Sequence, residues 1–204
     1  MATLDAPELL TRLFELEHAS QVTGGVASAS QVDSSVPRAT YYVHAGGHTL
    51  IVRDGLPAGL RADLQALDPQ HALAEPQMVA SILERHGHCE AVYARTVYVF
   101  TQVPDVRGPV ATGRAGCWYV EVDGQVASEA RSAAENELAA SVRADTLPAF
   151  RGRGLAGIVV AAWVQQMLGA GRTPFYTHAI DNPASAALAR KLGAIEIARG
   201  VKCL

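Results

Sequence analysis

The stretch from Asp145 to Leu155, DTLPAFRGRGL, constrains the fold more than any other, because it joins a strand-like run to an apolar helix through a glycine-rich loop. The strand-like run begins near Ala139 and ends at Thr146 and Leu147, where Pro148 stops it. Gly152 and Gly154 let the backbone fold closely around a ligand. From Leu155 the run LAGIVVAAWVQQML has the length and alanine content of a buried helix. The first turn of such a helix points N–H groups without intrahelical partners at one spot, and its start carries about half a positive charge. Arg151 and Arg153 add full charges, so the loop reads as an anion cradle that a pyrophosphate fits. Disordered RNA-binding tails also use Arg-Gly pairs, but they lack the strand before and the apolar helix after.

The rest of the second half follows from that anchor. Cys117 to Val122, a turn at Asp123-Gly124, Gln125 to Ser132, a polar turn holding Glu135 and Glu137, and Ala139 to Leu147 read as a three-strand meander. Helix, strand, helix and strand come next. The expected fold is therefore α/β, with a mixed, mostly antiparallel sheet and one parallel strand pair joined by the Leu155 to Leu168 helix. Ligands of open α/β sheets bind at the carboxyl ends of parallel strands beside a helix N-terminus, which is where the cradle lies.

In the first half, Leu9, Leu10, Leu13, Phe14 and Leu16 recur at helical spacing among acidic residues and predict an amphipathic helix. Thr23 to Pro37, rich in Gly, Ser and Ala, reads as a loop. Thr40 to His44, a Gly46-Gly47 turn and His48 to Arg53 read as a hairpin, followed by helices over Pro57 to Leu67 and Met78 to His86. Cys89 to Phe100 has the composition of one or two strands. Two prolines and two glycines between Pro104 and Gly113 mark the best boundary, which divides the chain into residues 1–110 and 111–204. The first part is either a degenerate relative of the second or a substrate-shaping part of its own.

With 204 residues the chain can bury one sizeable core, and its formal net charge of −3 with no basic cluster beyond the cradle argues against nucleic acid as a partner. Cys89, Cys117 and Cys203 are odd in number and widely spaced, which fits reduced thiols and a cytoplasmic setting. The N-terminus lacks a basic region followed by an apolar core. The apolar run around Leu155 to Ala162 is too short for a bilayer and leads into Gln165 and Gln166, so no membrane span is expected. His86, His88 and Cys89 are metal-ligand types without a second pair at zinc spacing, and no metal site is assigned.

Arg151, Gly154 and Ala156 match the Arg/Gln-x-x-Gly-x-Gly/Ala element of the GNAT acyltransferase superfamily, and Pro148-Ala149-Phe150 resembles the Pro-x-aromatic that leads into it. Downstream, PFYTHAI, then Asn182 and Ser185, then ALARKLGA resemble the family's strand, Asn-x-x-Ser and short helix ending in Leu-Gly. The resemblance covers Gly116 to Val201 and is nearest to the glycine N-acyltransferase-like C-terminal domains. It implies a GNAT-like fold and a site for an acyl-CoA, most often acetyl-CoA, with the pyrophosphate on the amides of Gly152, Arg153, Gly154, Leu155, Ala156 and Gly157. By the same resemblance the pantetheine arm lies along Ala144, Asp145 and Thr146, with Asn182 and Ser185 on its far side. Asn182 and Ser185 equally suit the capping of a helix beginning near Pro183.

Acyl transfer to an amine needs a neutral nucleophile, support for the developing oxyanion and a proton for the departing thiolate. The superfamily often supplies that proton from a Tyr just after the Leu of the short helix, but Leu188 is followed here by Ala189. Strand alternation places Tyr176 and His178 on one face as replacements, Tyr176 as acid and His178 as a proton relay near neutral pH. Asp145, with Arg143 on its own face, is a third candidate as base. The leading expectation is an acetyl-CoA-dependent N-acyltransferase acting on a small amine. The alternatives are a non-catalytic acyl-CoA-binding or sensing module, motivated by Ala189, and a partner-binding protein in which the cradle is vestigial. The acceptor, the acyl chain length and the oligomeric state are not written in the sequence.

Overall fold

The computed structural model describes residues 5–19, 21–28, 39–85 and 91–203. The chain divides into two compact units. One holds the described residues up to Val97, Ala179–Asp181 and those from Ile197 on; the other holds Tyr98–His178 and Asn182–Glu196.

The first unit opens with helix α1 (Ala6–His18), whose start is closed by the Asp5 carboxylate accepting from the Glu8 amide at 3.0 Å. Leu10, Leu13, Phe14 and Leu16 of α1 are buried, as their spacing predicts. Strands β1 (Gln21–Thr23) and β2 (Val26–Ser28) pair antiparallel across Gly24-Gly25. The expected loop from Thr23 is thus in part a strand. Gly24 and Gly25 supply the positive φ the turn requires, and Val26 and Ala27 pair in parallel with Val52 and Arg53 of β4 (Gly47–Arg53). The remainder of that expected loop lies outside the described residues, as do His86, His88 and Cys89.

Strand β3 (Ala39–His44) and β4 form the expected hairpin. His44 Nδ1 accepts from the Gly46 amide at 3.2 Å and His48 stacks on Tyr41 at 5.2 Å, so both histidines serve the local structure. Helices α2 (Ala58–Gln65), α3 (Pro69–Ala74) and α4 (Pro76–Glu84) follow. The short α3 escapes the sequence pattern, although its start carries the usual signs: Asp68 accepts from the His71 amide at 2.9 Å, and Pro69 follows the cap. Leu60, Leu64, Val79 and Leu83 pack with Tyr41, Val43 and Val52 in one core. With β5 (Val92–Val99) and β11 (Ile195–Cys203), the strand order in this unit is β1-β2-β4-β3-β11-β5.

A polar cluster sits inside this unit. Arg95 Nη1 donates to both oxygens of Glu17 at 2.7 Å, Arg95 Nη2 donates to the Tyr42 hydroxyl, and Lys202 Nζ lies 3.9 Å from Glu17. Burial works against the Arg95 charge, but Tyr42 and Glu17 more than offset it and its pKa is raised. Burial lowers the Lys202 ammonium to about 8; Glu17 opposes that shift and Arg95 adds to it.

The second unit contains β6 (Thr112–Arg114), β7 (Cys117–Val122), β8 (Gln125–Glu135), β9 (Ala139–Thr146), α5 (Leu155–Gly169), β10 (Thr173–Ala179) and α6 (Pro183–Lys191). Its strand order is β10-β9-β8-β7-β6, with β9 and β10 parallel and the others antiparallel. The sheet is therefore mostly antiparallel and flanked by helices; besides the expected parallel pair of β9 with β10, β2 with β4 is also parallel. Helix α5 buries Val159, Val160, Trp163 and Val164 against Val120, Ala130 and Ala140, and Trp163 Nε1 donates to Ser132 Oγ at 3.0 Å. Glu135, expected in a polar turn, is the last residue of β8; it is exposed and accepts from Arg172 at 2.7 Å.

Gly200 of β11 faces Tyr42, and an added Cβ would lie 2.6 Å from the ring and 3.2 Å from the Tyr41 carbonyl. Gly200→Ala is expected to cost about 1–3 kcal/mol of stability in denaturant titration, because the fully buried ring has no room to shift. For Lys202 the folded pKa is below the unfolded one, so between about 8 and the ordinary lysine value of 10.5 the unfolded chain binds more protons and stability rises with pH. In Lys202→Met that rise in thermal midpoint is expected to be lost, with a higher midpoint than the native chain at neutral pH.

Candidate active site

The parallel ladder of β9 and β10 is short. Thr173, Pro174 and Phe175 pair with Ala139, Ala140 and Ser141, and no further pair joins the two strands as they run on to Thr146 and Ala179. A cavity of about 960 Å³ opens where they part, with Ala144, Asp145 and Thr146 on one side and Tyr176 on the other.

The loop from β9 to α5 forms the cavity's basic end. Pro148–Phe150 is a single 3₁₀ turn, closed by the Arg151 amide donating to the Pro148 carbonyl at 3.3 Å. Arg151 Nε then donates back to the Thr146 carbonyl at 3.2 Å, and Arg153 lies over the Phe150 ring at 5.1 Å. Gly152 and Gly154 have φ of +77° and +79°, and no atom lies within 4 Å of where a Cβ would stand on either. Gly154 is the N-cap of α5, so that helix begins without a side-chain cap and without an acidic residue in its first turn. Asp5, Asp68 and Asn182 cap α1, α3 and α6 with their own side chains. Helices α2 and α4 also start without a capping side chain, so the bare start alone does not set α5 apart. At α5 the Gly157 amide donates to the Gly154 carbonyl at 3.0 Å, and the amides before it, together with two glycines and two arginines, fit a pyrophosphate.

All the residues read as cofactor-binding, Ala144 to Thr146, Arg151 to Gly157, Asn182 and Ser185, line this one cavity. Asn182 Oδ1 accepts from the Ser185 amide at 3.0 Å, so the capping reading of that pair holds alongside its place in the wall. Tyr176 also lines the cavity. Burial raises its phenol pKa, and a hydrogen bond with Ser185 acts the other way. His178 shares the Tyr176 face, as alternation predicts, but it stacks on Tyr98 at 5.5 Å and is not among the lining residues. Asp145 is exposed and holds Arg143 Nε at 3.0 Å.

Sequence reasoning missed Asp105, Val106 and Arg107, which form a further wall, and Lys191 at the end of α6. The available signal was Gly108 beside Pro109, read only as part of a boundary. A Cβ on Gly108 would fall 2.4 Å from Ile158 Cδ1, so the glycine lets this segment approach α5. Among the described residues no group of three or more His, Cys, Asp or Glu is placed to hold a metal, and no helix is long and apolar enough to cross a membrane.

Residues 114–197 match the family model of the GNAT acetyltransferases. Among solved structures, the fold is similar to an acetyltransferase from the GNAT family of Colwellia psychrerythraea, with a TM-score of 0.52 and 10% identity over 100% of this chain and 97% of that one. It is also similar to a GCN5-related N-acetyltransferase from Kribbella flavida, with a TM-score of 0.51 and 16% identity over 100% of this chain and 96% of that one. At these identities the likeness is one of fold. None of the curated proteins compared matches the chain.

Gly154→Asp places a carboxylate at the bare start of α5. Acetyl-CoA affinity measured by calorimetry is expected to fall by about tenfold or more, since charge repulsion replaces amide donation and φ of +79° strains the new side chain.

Proposed function

On the premise that residues 114–197 form a GNAT acetyltransferase segment, we propose that the chain is an N-acyltransferase moving an acetyl group from acetyl-CoA to an amine. The observation that carries this reading is the bare N-terminus of α5 at the mouth of the β9–β10 opening, the one helix start of eight or more residues in this unit without a capping side chain among the described residues. Bound there, acetyl-CoA supplies an activated thioester. The amides of Gly152 to Ala156 hold its pyrophosphate, Gly157 being engaged by the Gly154 carbonyl; Arg151 and Arg153 offset the charge, and the free edge of β9 at Ala144 to Thr146 lies along the pantetheine arm.

Two side chains divide the proton transfers. Asp145 takes the proton that the acceptor nitrogen releases as the N–C bond forms, and Tyr176 gives its proton to the sulfur as the C–S bond breaks. The Tyr176 phenol is protonated at neutral pH, as an acid requires, and burial raises its pKa further while its hydrogen bond with Ser185 opposes that shift and orients the hydroxyl. Tyr176 thus stands in for the hydroxyl that Ala189, fully buried, does not provide.

That same Ala189 favours a second reading, a module that binds acyl-CoA without turnover. Calorimetry with acetyl-CoA, with ATP and NAD as controls, followed by CoA release over an amine panel separates the two. Tyr176→Phe is expected to lower kcat by about a hundredfold with acetyl-CoA affinity unchanged. Selective binding without release for any amine would leave the binding module standing; undiminished turnover in Tyr176→Phe would remove Tyr176 as the acid.

A further inference from the structure

The face of β6 to β9 turned away from α5 carries its charges in rows. Ala140, Val142 and Ala144 of β9 pack toward the α5 core, so by alternation Arg143 and Asp145 stand on the opposite face. The strand register sets Asp145 opposite Glu129, and Glu129 opposite Tyr119. One row along, it sets Arg143 opposite Arg131, Arg131 opposite Cys117, and Cys117 opposite Arg114. The first row is acidic and the second basic.

Like charges directly opposite on neighbouring strands destabilise a sheet, and exchanging the two signs on either β8 or β9 would turn both repulsive pairs into attractive ones. Sheet stability alone therefore does not favour this pattern. Relief within the face is weak. The Arg143–Asp145 pair has side chains 61% and 58% exposed, which puts it among surface pairs that contribute about 1 kcal/mol or less. Among the described residues Arg114 and Arg131 join no salt bridge.

Asp145 connects this face to the cavity, whose wall it shares with Ala144 and Thr146. An acceptor leading away from the cavity along β9 meets the acidic row first and the basic row two residues later, about 6.6 Å further on.

Resting on the acyl-transfer reading, we propose that this sheet face seats the acceptor and selects an amine carrying a carboxylate about 6–7 Å from its nitrogen. The ammonium lies on Asp145 and Glu129, and the carboxylate lies on Arg143 and Arg131, whose planar guanidinium groups match it in two-point fashion. Such a ligand relieves both like-charge pairs at once. An α-amino acid holds its charges too close together to span the rows, and a plain alkylamine leaves the arginine pair unrelieved.

The test compares δ-aminovalerate, pentylamine and glycine as acceptors at saturating acetyl-CoA, in the native chain and in Arg131→Gln. The expected kcat/KM for δ-aminovalerate exceeds that of both others by about tenfold, and Arg131→Gln removes most of its advantage over pentylamine with acetyl-CoA affinity unchanged. Equal use of pentylamine, or a preference that survives Arg131→Gln, overturns the proposal. If acetyl-CoA does not bind, the acyl-transfer reading falls by itself, and the face is judged by titrating δ-aminovalerate directly by NMR. Saturable binding weakened in Arg131→Gln then supports it, and no binding, or binding indifferent to Arg131→Gln, overturns it.

Discussion

The separation of β9 from β10 after only three paired residues is the constraint around which the second unit is organised. A sheet interior normally satisfies each backbone group with a neighbouring strand, and past Ser141 the inner edge of β9 has no strand partner on the β10 side. The opening is held by packing. Helix α5 lies across β8 and β9 with Trp163 anchored to Ser132, while Tyr176 and Leu192 belong to the same core on the other side of the gap. The cavity is therefore built into the topology, and under the proposed acyl-transfer reading its polar edge is where the amide groups of the cofactor arm pair.

The start of α5 shows the same logic in a single residue. At φ of +79° position 154 strains any side chain and lies outside the extended backbone that a capping residue uses. Glycine suits that conformation, forgoes the roughly 1 kcal/mol that a side-chain cap contributes, and leaves the first amides of α5 without a side-chain partner. The opposed arginines and opposed carboxylates of the outer sheet face likewise leave local stability unclaimed, which is the pattern expected where a surface is arranged for a ligand. The first unit makes the other choice. Its buried charges are paired with one another around Glu17, and burial and charge within the cluster act on Lys202 and not on a ligand.

Much of the second unit was legible because its signals are local. The apolar length of α5, the glycines of the loop, the turn at Asp123-Gly124 and the alternation on β10 each act within a few residues, and the corresponding elements lie where those patterns put them. The first unit was less legible. The pairing of Val26 and Ala27 with Val52 and Arg53 joins segments distant in sequence, and nothing in the composition of the Gly- and Ser-rich stretch announces it. Asp105 and Arg107 were missed for a related reason: the role of Gly108 depends on Ile158, a contact no local pattern encodes.

The sequence by itself determined the strand, cradle and helix around Arg151 to Gly157 and the mixed sheet that must accompany them, because backbone propensity and helix-end electrostatics are properties of neighbouring residues. Only the tertiary structure decided that Tyr176 reaches the cavity while His178 turns to Tyr98, since alternation assigns a face and packing decides what that face meets. It also decided that Glu129 faces Asp145 and Arg131 faces Arg143. Register is a relation between strands, and a shift of a single residue would have sent every one of those charges to the opposite side of the sheet.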